Sequence, residues 1–279
     1  MDKTSKRKTV GLALGSGGWK GIAHVGVIKA LVENDIPIDF IAGSSAGSLI
    51  GGMYSALGDI YKVEGLINSF NRKDLFQIFS DPGSKTGLLK GDKVIKFINA
   101  TLGNINIEDL KIPFCAVATD LLNGTPVYLT KGSLTSAIRA SSSIPLLFNV
   151  PTFHDKYLID GGAVEMIPVE AVKKMGADVV IGVNLFKNSF PITNVPRNEK
   201  GMTRSEVALI TYRVILNRLS QYCEEKSDIT IGPLISLPIG GSTGIKWFSN
   251  FVKEKGIIKA GEDATLRLMS EIKKLIEEK

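Results

Sequence analysis

Ten residues decide the fold of this chain: Ile38-Asp39-Phe40-Ile41-Ala42-Gly43-Ser44-Ser45-Ala46-Gly47. The first five are an apolar run that predicts a short buried strand, and residues 48–57 continue with the spacing of a helix. A G-x-S-x-G pentapeptide between a strand and a helix is typical of a nucleophile elbow, where a sharp turn exposes a serine hydroxyl. Glycines are needed there because bulky neighbours would collide with the strand or the helix. The pattern predicts Ser45 as a nucleophile that attacks a carbonyl group.

A second G-x-S-x-G match is present at Gly240-Gly241-Ser242-Thr243-Gly244. Its context differs, because Pro233 and Pro238 precede it, and proline interrupts a central strand by its lack of a backbone donor. The Gly240-Gly241 pair is typical of a flexible turn. Residues after Ser242 could form a helix, so Ser242 remains an alternative, but the context favours Ser45.

The other predicted strands are also apolar runs rather than alternating ones, and helices separate them. This order is typical of a mostly parallel sheet covered on both faces. The chain has 279 residues, enough for one large α/β domain. We expect a three-layer α/β/α sandwich with a basic tail over 1–8, a catalytic core over 9–185, and a loop and C-terminal helices over 186–279 packed on that core. Residues 60–100 are expected to form helices, with loops around 81–83 and 87.

The formal net charge is +6, yet the basic residues are scattered apart from those within Lys3–Lys8. The sequence contains neither a basic patch interleaved with aromatic residues nor zinc-finger spacing, so no nucleic-acid partner is expected. The basic tail is predicted to be a solvated arm with a weak attraction to anionic lipid headgroups. Residues 245–253 hold Trp247, Phe248 and Phe251 among lysines, and they fit either a membrane-docking segment or ordinary helix packing.

Targeting and cofactor signals are few. No apolar stretch approaches the roughly 20 residues that span a bilayer, and the run Thr9–Leu14 is too short for a secretory signal. Cys115 and Cys223 are the only cysteines, which fits a reducing compartment. We therefore expect a cytoplasmic protein with peripheral membrane contact. No cluster of histidine and cysteine ligands is present, so neither a metal nor an organic cofactor is predicted.

A glycine-rich turn, Gly15-Ser16-Gly17-Gly18-Trp19-Lys20-Gly21, follows the first predicted strand and opens a helix. The dinucleotide fingerprint fails because Lys20 stands where its third glycine is required, and the phosphate-binding loop fails because Lys20 precedes Gly21. Backbone N–H groups of Gly17 and Gly18 could instead form an oxyanion hole. A tight turn without function is the alternative.

Three residues are candidates for the general base. A serine–histidine pair would need His24, which lies inside the first predicted helix, or His154, which lies in a polar turn. Asp160-Gly161-Gly162 follows a predicted strand over 156–159, so Asp160 should emerge at a strand carboxyl end on the same side as the elbow. Burial would raise its pKa and let it accept the serine proton. A plain β-turn aspartate is the alternative interpretation.

Four blocks of the sequence resemble those of bacterial patatin-like phospholipases. They are Leu14–Ala30 with its glycine loop, the Gly43–Gly47 elbow, the serine-rich segment Arg139-Ala140-Ser141-Ser142-Ser143-Ile144-Pro145, and Asp160-Gly161-Gly162. They follow in the family's order and spacing over residues 9–185. The resemblance implies an α/β sandwich with a serine–aspartate dyad, in which Ser45 is the nucleophile, Asp160 the base and the glycine loop the oxyanion hole.

The chain departs from the family pattern at two positions. Ser16 replaces the first of three consecutive glycines, and Lys20 replaces the usual arginine, which keeps the charge but loses the bidentate geometry. Neither change removes a backbone donor. The residues expected to support the elbow and the loop are Gly15, Lys20, Gly21, Gly43, Ala46, Gly47, Gly161 and Gly162.

The expected function is lipid acyl hydrolysis of the phospholipase A or lysophospholipase type, on a lipid or fatty-acyl ester, through an acyl-enzyme. A non-hydrolytic regulator that binds lipid or protein with the same fold is the competing class. Among enzymes, a transacylase, a thioesterase or a peptidase remains an alternative.

Overall fold

The computed structural model describes residues 7–69, 80–153, 155–190, 202–235 and 256–277. The strands are β1 (Val10–Leu14), β2 (Phe40–Ser44), β3 (Pro82–Ser84), β4 (Gly87–Leu89), β5 (Phe114–Asp120), β6 (Thr125–Leu129), β7 (Leu146–Phe148), β8 (Thr152–Phe153), β9 (Lys156–Asp160), β10 (Val179–Val183) and β11 (Ile229–Ile231). The helices are α1 (Ala23–Glu33), α2 (Ala46–Leu57), α3 (Ile60–Ser69), α4 (Asp92–Leu102), α5 (Leu134–Ser141), α6 (Val169–Met175), α7 (Arg204–Glu224), α8 (Gly256–Arg267) and α9 (Met269–Glu277). Short 3₁₀ helices cover Gly18–Ile22, Ile107–Asp109 and Gly161–Ala163.

A central sheet runs in the order β11-β10-β1-β2-β5-β9-β8, and β6 also pairs with β5. The strands from β11 to β5 are parallel, whereas β6, β8 and β9 pair in the antiparallel sense. Every residue of β1, β5 and β10 is buried, as expected for strands covered on both faces. The predicted mostly parallel sheet is confirmed.

Helices lie on both faces of this sheet. A methyl group at Gly11 would lie 1.9 Å from Val172 of α6, whereas one at Gly51 of α2 would lie 2.9 Å from Ile41 and 3.0 Å from Leu14. Gly11 and Leu14 are an odd number of positions apart in β1, so their side-chain directions point to opposite faces. Helices α2 and α6 therefore cover opposite faces, which confirms the three-layer sandwich.

The C-terminal helix α8 packs closely on α1. Two glycines allow this approach, because a methyl group at Gly26 would lie 1.9 Å from the carbonyl oxygen of Ile258, and one at Gly261 would lie 2.0 Å from that of Ala23. Lys29 of α1 also pairs with Glu262 at 3.2 Å. The C-terminal helices therefore pack on the core, as expected.

The prediction for residues 60–100 is wrong in its middle part. Loops were expected around 81–83 and 87, but β3 and β4 form a hairpin, and β4 pairs in parallel with β7 to make a small three-stranded sheet. Strands of three residues are too short to show a periodic pattern, and β7 is remote in sequence. Helices α3 and α4 flank this hairpin.

Some predicted features lie outside the described residues. They are residues 1–6 of the basic tail, His154, Ser242 and the aromatic residues within 245–253. In the described part of the chain, none of the helices combines the length and the apolar character that crossing a membrane requires.

Candidate active site

The predicted elbow is a strained turn between β2 and α2. Ser45 has φ 54° and ψ −118°, a backbone conformation that a residue other than glycine adopts at a cost of about 1–3 kcal/mol. The glycines around it have no room for a side chain. A methyl group at Gly47 would lie 2.0 Å from the carbonyl oxygen of Leu14, and one at Gly43 would lie 2.4 Å from the backbone of Gly47. The local sequence thus folds into this turn because β1, β2 and α2 meet with backbone against backbone.

Hydrogen bonds hold both backbone polar groups of Ser45. Its N–H donates to the hydroxyl oxygen of Ser141 at 3.0 Å. Its carbonyl oxygen accepts from the hydroxyls of Ser48 at 2.6 Å and Ser142 at 3.3 Å, in addition to the first backbone donors of α2. The Ser45 residue is 3% exposed, so these bonds are shielded from water.

Asp160 ends β9 beside the elbow, but for a different reason from the one predicted. Strand β9 is antiparallel to β5, so its carboxyl end points opposite to those of the parallel strands. The two strands overlap only at the end of β5, where Asp160 is paired with Ala118, while Ser44 is paired with the adjacent Val117. Asp160 and Ser45 therefore lie at the same level of the sheet, although the reasoning from a shared carboxyl end is wrong.

The Asp160 carboxyl group is buried and sparsely hydrogen-bonded. Oδ1 accepts the N–H of Gly162 at 2.8 Å, whereas Oδ2 has no well-formed hydrogen bond among the described residues. Burial raises the pKa of Asp160 to about 6, and the Ser45 side chain and the Gly162 amide act in the opposite direction. The Ser45 side chain therefore lies near enough to this carboxyl group to favour its ionised form.

The glycine loop faces the elbow. A methyl group at Gly21 would lie 2.4 Å from Cβ of Ala46, the residue after Ser45. The N–H groups of Gly15 and Ser16 bond to Val183 and Met166, but those of Gly17 and Gly18 make no hydrogen bond to another described residue. Gly18 is exposed and has φ 56°. Gly17 precedes the short helix that begins at Gly18, and these two N–H groups are available to an anionic oxygen.

Lys20 connects the glycine loop to the segment after β10 through hydrogen bonds. Its ammonium donates to the carbonyl oxygen of Leu185 and to the hydroxyl of Ser189, both at 3.1 Å, and lies 4.6 Å from the ring centre of Phe186. Burial lowers its pKa to about 8, with a smaller contribution from Arg213. The residue that replaces the family's arginine therefore has a supporting role in holding the loop.

The two glycines after Asp160 pack closely against β5 and the glycine loop. A methyl group at Gly161 would lie 2.1 Å from the carbonyl oxygen of Val117, and one at Gly162 would lie 2.7 Å from the hydroxyl of Ser16. This Asp-Gly-Gly segment is therefore wedged between β5 and the glycine loop. It brings the carboxyl group to the elbow, which a turn at the surface would not do.

His24 is a buried structural residue. Its Nε2 is 2.8 Å from the carbonyl oxygen of Gly15, and burial lowers its pKa to about 4, so the ring is neutral and Nε2 is the donor. The ring thus supports the glycine loop, as expected for a packed core histidine.

The serine-rich segment 141–143 has contacts that the sequence did not predict. Ser141 and Ser142 bond to Ser45, and the carbonyl oxygen of Ser143 accepts the N–H of Asp160 at 3.0 Å. Thr119 adds a hydroxyl bond at 2.8 Å to the Asp160 carbonyl oxygen. The segment was noticeable through its resemblance, but its role depends on contacts between residues about 20 and 100 positions apart.

Much of the chain is similar in sequence to known proteins. Residues 12–173 match the sequence model of a family described as patatin-like phospholipase. The chain is 38% identical over 181 residues to an uncharacterized NTE family protein of Mycobacterium bovis, covering 65% of this chain and 50% of that protein. It is 35% identical over 181 residues to lysophospholipase nte1 of Aspergillus fumigatus, covering 64% of this chain and 12% of that protein. The chain thus spans half or less of the length of these curated relatives.

A solved structure shares the fold. The crystal structure of VipD from Legionella pneumophila superposes with a TM-score of 0.61 at 14% sequence identity, covering 95% of this chain and 67% of VipD. At this identity the likeness concerns the fold alone.

Proposed function

The chain belongs to the patatin-like phospholipase family, and we propose that it hydrolyses carboxylic esters of lipids with a dyad of Ser45 and Asp160. The observation that carries the proposal is the placement of a buried carboxyl group beside the strained serine of the elbow, next to a glycine loop in which the N–H groups of Gly17 and Gly18 bond to no other described residue. The fungal relative is named a lysophospholipase, which supports a lipid ester as the substrate.

The first half of the reaction forms an acyl-enzyme. The Asp160 carboxylate takes the proton from the Ser45 hydroxyl as its oxygen attacks the ester carbonyl carbon. The N–H groups of Gly17 and Gly18 donate to the resulting oxyanion, a contribution of about 3 kcal/mol for each such donor. When the tetrahedral intermediate collapses, the carboxylic acid of Asp160 gives the proton to the leaving alkoxide.

The second half repeats these steps with water. Asp160 takes a proton from a water molecule, whose oxygen attacks the acyl-enzyme carbonyl carbon. Collapse breaks the bond to Ser45, whose oxygen regains a proton from Asp160, and the fatty acid leaves. A pKa near 6 suits this role, because the carboxyl group is ionised at neutral pH yet basic enough to accept a proton.

The competing class, a regulator without hydrolytic activity, is less well supported. A binding module would not need a strained serine, a buried carboxylate and loop amides that bond to no other described residue, all at one place. Transacylases and thioesterases would use the same acyl-enzyme, so the acceptor and the leaving group decide between these enzymes and a hydrolase.

The test combines active-site labelling with product analysis. Wild-type protein should react with a fluorophosphonate and release fatty acid from phospholipid, lysophospholipid and p-nitrophenyl ester vesicles or micelles. Ser45→Ala should abolish both, while Ser242→Ala should leave both unchanged. Full activity in Ser45→Ala, or neither labelling nor release in wild type, would contradict the proposal. Activity with thioesters alone, or acyl transfer to alcohols in place of water, would favour the alternatives.

We also propose that the surface around the turn after β5 contacts an anionic membrane. The turn after β5 carries Leu121 and Leu122, which is 75% exposed, and Leu146 of β7 is 82% exposed three residues after Ser143. Lys156 lies beside this turn through its ion pair with Asp120. Exposed apolar residues with neighbouring cations fit an anionic lipid surface, whereas the net charge of +6 disfavours a second copy of the chain.

Vesicle binding tests this surface. Leu122→Asn should weaken cosedimentation with vesicles that contain phosphatidylglycerol. Tyr61→Asn is the control, because Tyr61 is 55% exposed and bonds to Glu33 at the end of α1. That helix precedes β2, so its end lies toward the amino ends of the parallel strands, away from the turn after β5. Equal binding by wild type to purely zwitterionic vesicles, or equal losses in both variants, would contradict the proposed surface.

A further inference from the structure

One short segment, Ser141–Ser143, contacts both members of the proposed dyad. The hydroxyl oxygen of Ser141 accepts the N–H of Ser45 at 3.0 Å. Two residues later, the carbonyl oxygen of Ser143 accepts the N–H of Asp160 at 3.0 Å. Ser141 and Ser143 are completely buried. The three-residue bridge formed by residues 141–143 therefore connects Ser45 to Asp160, in addition to the strands of the sheet.

The two ends of Ser45 depend on this bridge to different degrees. Its carbonyl oxygen is held by donors of α2, including the N–H of Ser48 at 2.9 Å, which any helix start would supply. Its N–H, in contrast, has the Ser141 hydroxyl as its partner among the described residues. A residue at φ 54° stays in this conformation only where its surroundings enforce it. Ser141 is thus the contact that holds the N-terminal side of the strained residue.

Arg139 connects the bridge to its surroundings. Its guanidinium donates to the Ser143 hydroxyl at 2.7 Å, to the carbonyl oxygen of Lys90 at 2.7 Å and to that of Asn149 at 2.9 Å. Gly91 provides the space, because a methyl group there would lie 2.0 Å from Nε of Arg139. The bridge is therefore tied to the small sheet as well as to the elbow.

We propose that Ser141 is a positioning residue for the reaction, which holds the backbone of Ser45 so that its hydroxyl faces the carboxyl group of Asp160. This inference rests on the proposed dyad. If the Ser141 hydroxyl is removed, the Ser45 N–H loses its acceptor in a buried site, and the strained turn relaxes. The serine oxygen then moves away from Asp160, and misplacement by about 1 Å lowers the rate by up to about 100-fold.

The experiment compares Ser141→Ala with Ser55→Ala. Ser55 is a matched control, because it is also completely buried, lies in α2 and has a hydroxyl without a hydrogen-bond partner among the described residues. Ser141→Ala should lower kcat for a p-nitrophenyl ester by about 10- to 100-fold with an unchanged KM, whereas Ser55→Ala should retain the wild-type kcat. Ser141→Cys keeps the size but has a weak acceptor, so its kcat should fall as well.

The pH profile separates positioning from a general loss of structure. The Ser45 hydroxyl lowers the pKa of Asp160, so its displacement should move the acidic limb of kcat/KM to higher pH in Ser141→Ala and leave it in place in Ser55→Ala. An unchanged kcat in Ser141→Ala and Ser141→Cys, or an equal loss in Ser55→Ala, would overturn the positioning role. Full activity in Ser45→Ala would overturn the dyad, and the positioning role with it.

Discussion

Ser45 is placed mainly by its neighbours in sequence, whereas Asp160 is placed mainly by residues remote from it. The elbow joins β2 to α2 within a few residues, and its glycines meet the adjacent strand β1. Asp160 instead depends on the antiparallel pairing of β9 with β5, on the hydroxyl of Thr119 and on the carbonyl group of Ser143. The turn that carries the nucleophile is therefore specified locally and held by contacts to β1 and Ser141, whereas the position of the base depends on the tertiary fold.

This contrast has a chemical consequence. A strained serine turn can be built from one strand and one helix, but a carboxyl group with a raised pKa needs burial by several elements. The site thus combines a turn that sequence specifies strongly with a carboxyl group whose basicity depends on the whole fold. Substitutions at the two places should therefore have different main effects. Those at Asp160 should lower kcat, and those at the elbow glycines should lower the free energy of unfolding.

The largest expected effect is on the chemistry of the base. Asp160→Asn removes the proton acceptor, so kcat should fall by about 10³-fold or more, as expected when a general base is lost. Asp120→Asn is the control, because Asp120 ends β5 beside β9, and its carboxylate bonds to Asn123 and pairs with Lys156. Steady-state ester hydrolysis measures both. An equal loss of kcat in Asp120→Asn would show that kcat depends on the structure of this region rather than on the proton acceptor.

The next effect is on the stability of the elbow. Gly47→Ala places a methyl group 2.0 Å from the backbone of Leu14, so the free energy of unfolding should fall by about 3 kcal/mol. Gly65→Ala is the control, because nothing lies within 4 Å of a methyl group there, and alanine should stabilise α3 by about 0.5–1 kcal/mol. Urea denaturation measures both variants. Equal stability of Gly47→Ala and wild type would refute the backbone packing of the elbow.

A third effect, of comparable size, is the pH dependence of the free energy of unfolding that Asp160 causes. Folding raises the pKa of Asp160 from 3.8 to about 6, so the ionised carboxylate destabilises the fold by about 3 kcal/mol at pH 8. Between pH 6 and pH 4 the folded state binds the proton more tightly than the unfolded state, and this cost disappears. Asp160→Asn should therefore be more stable than wild type at pH 8, with a difference that shrinks toward pH 4. A difference independent of pH would contradict the raised pKa.

The smallest effect concerns the glycine loop. Ser16→Gly restores the glycine of the family pattern, and it keeps the N–H of residue 16, which bonds to Met166. The free N–H groups of Gly17 and Gly18 are unaffected, so kcat should stay close to the wild-type value, and stability should fall by about 0.5–1 kcal/mol from the added backbone freedom. A loss of kcat as large as that of Ser141→Ala would show that Ser16 takes part in the reaction.

The same contrast explains which features were predictable from the sequence. The elbow and the glycine loop follow from local patterns, since the glycines, the apolar run and the helix spacing of residues 38–57 all indicate one structure. Strands β1, β2, β5 and β10 of the parallel sheet were also predictable, because an apolar run marks each of them. Strand β11 was not predicted: it has three residues with Thr230 at its centre, in a part of the chain where only a loop and helices were expected. Asp160 was identified mainly through the family resemblance, and its expected place rested on a wrong strand direction.

Other features had no usable local signal. The hairpin β3–β4 consists of three-residue strands with Pro82 and Gly87, residues that normally indicate turns, and it forms because β7 pairs with it. The bond from Ser45 to Ser141 joins residues 96 positions apart. Single-sequence patterns report on neighbours along the chain, so contacts of this kind emerge only from the folded structure.

The most direct test of the dyad is the rate of fluorophosphonate labelling as a function of pH, with the modified residue identified by peptide mapping. We expect the label on Ser45 and a rate that falls as the pH decreases through about 6, because protonated Asp160 cannot accept the serine proton. In Asp160→Asn the labelling should be slow and should lack this step. A label on Ser242, or the same pH step in Asp160→Asn, would contradict the account.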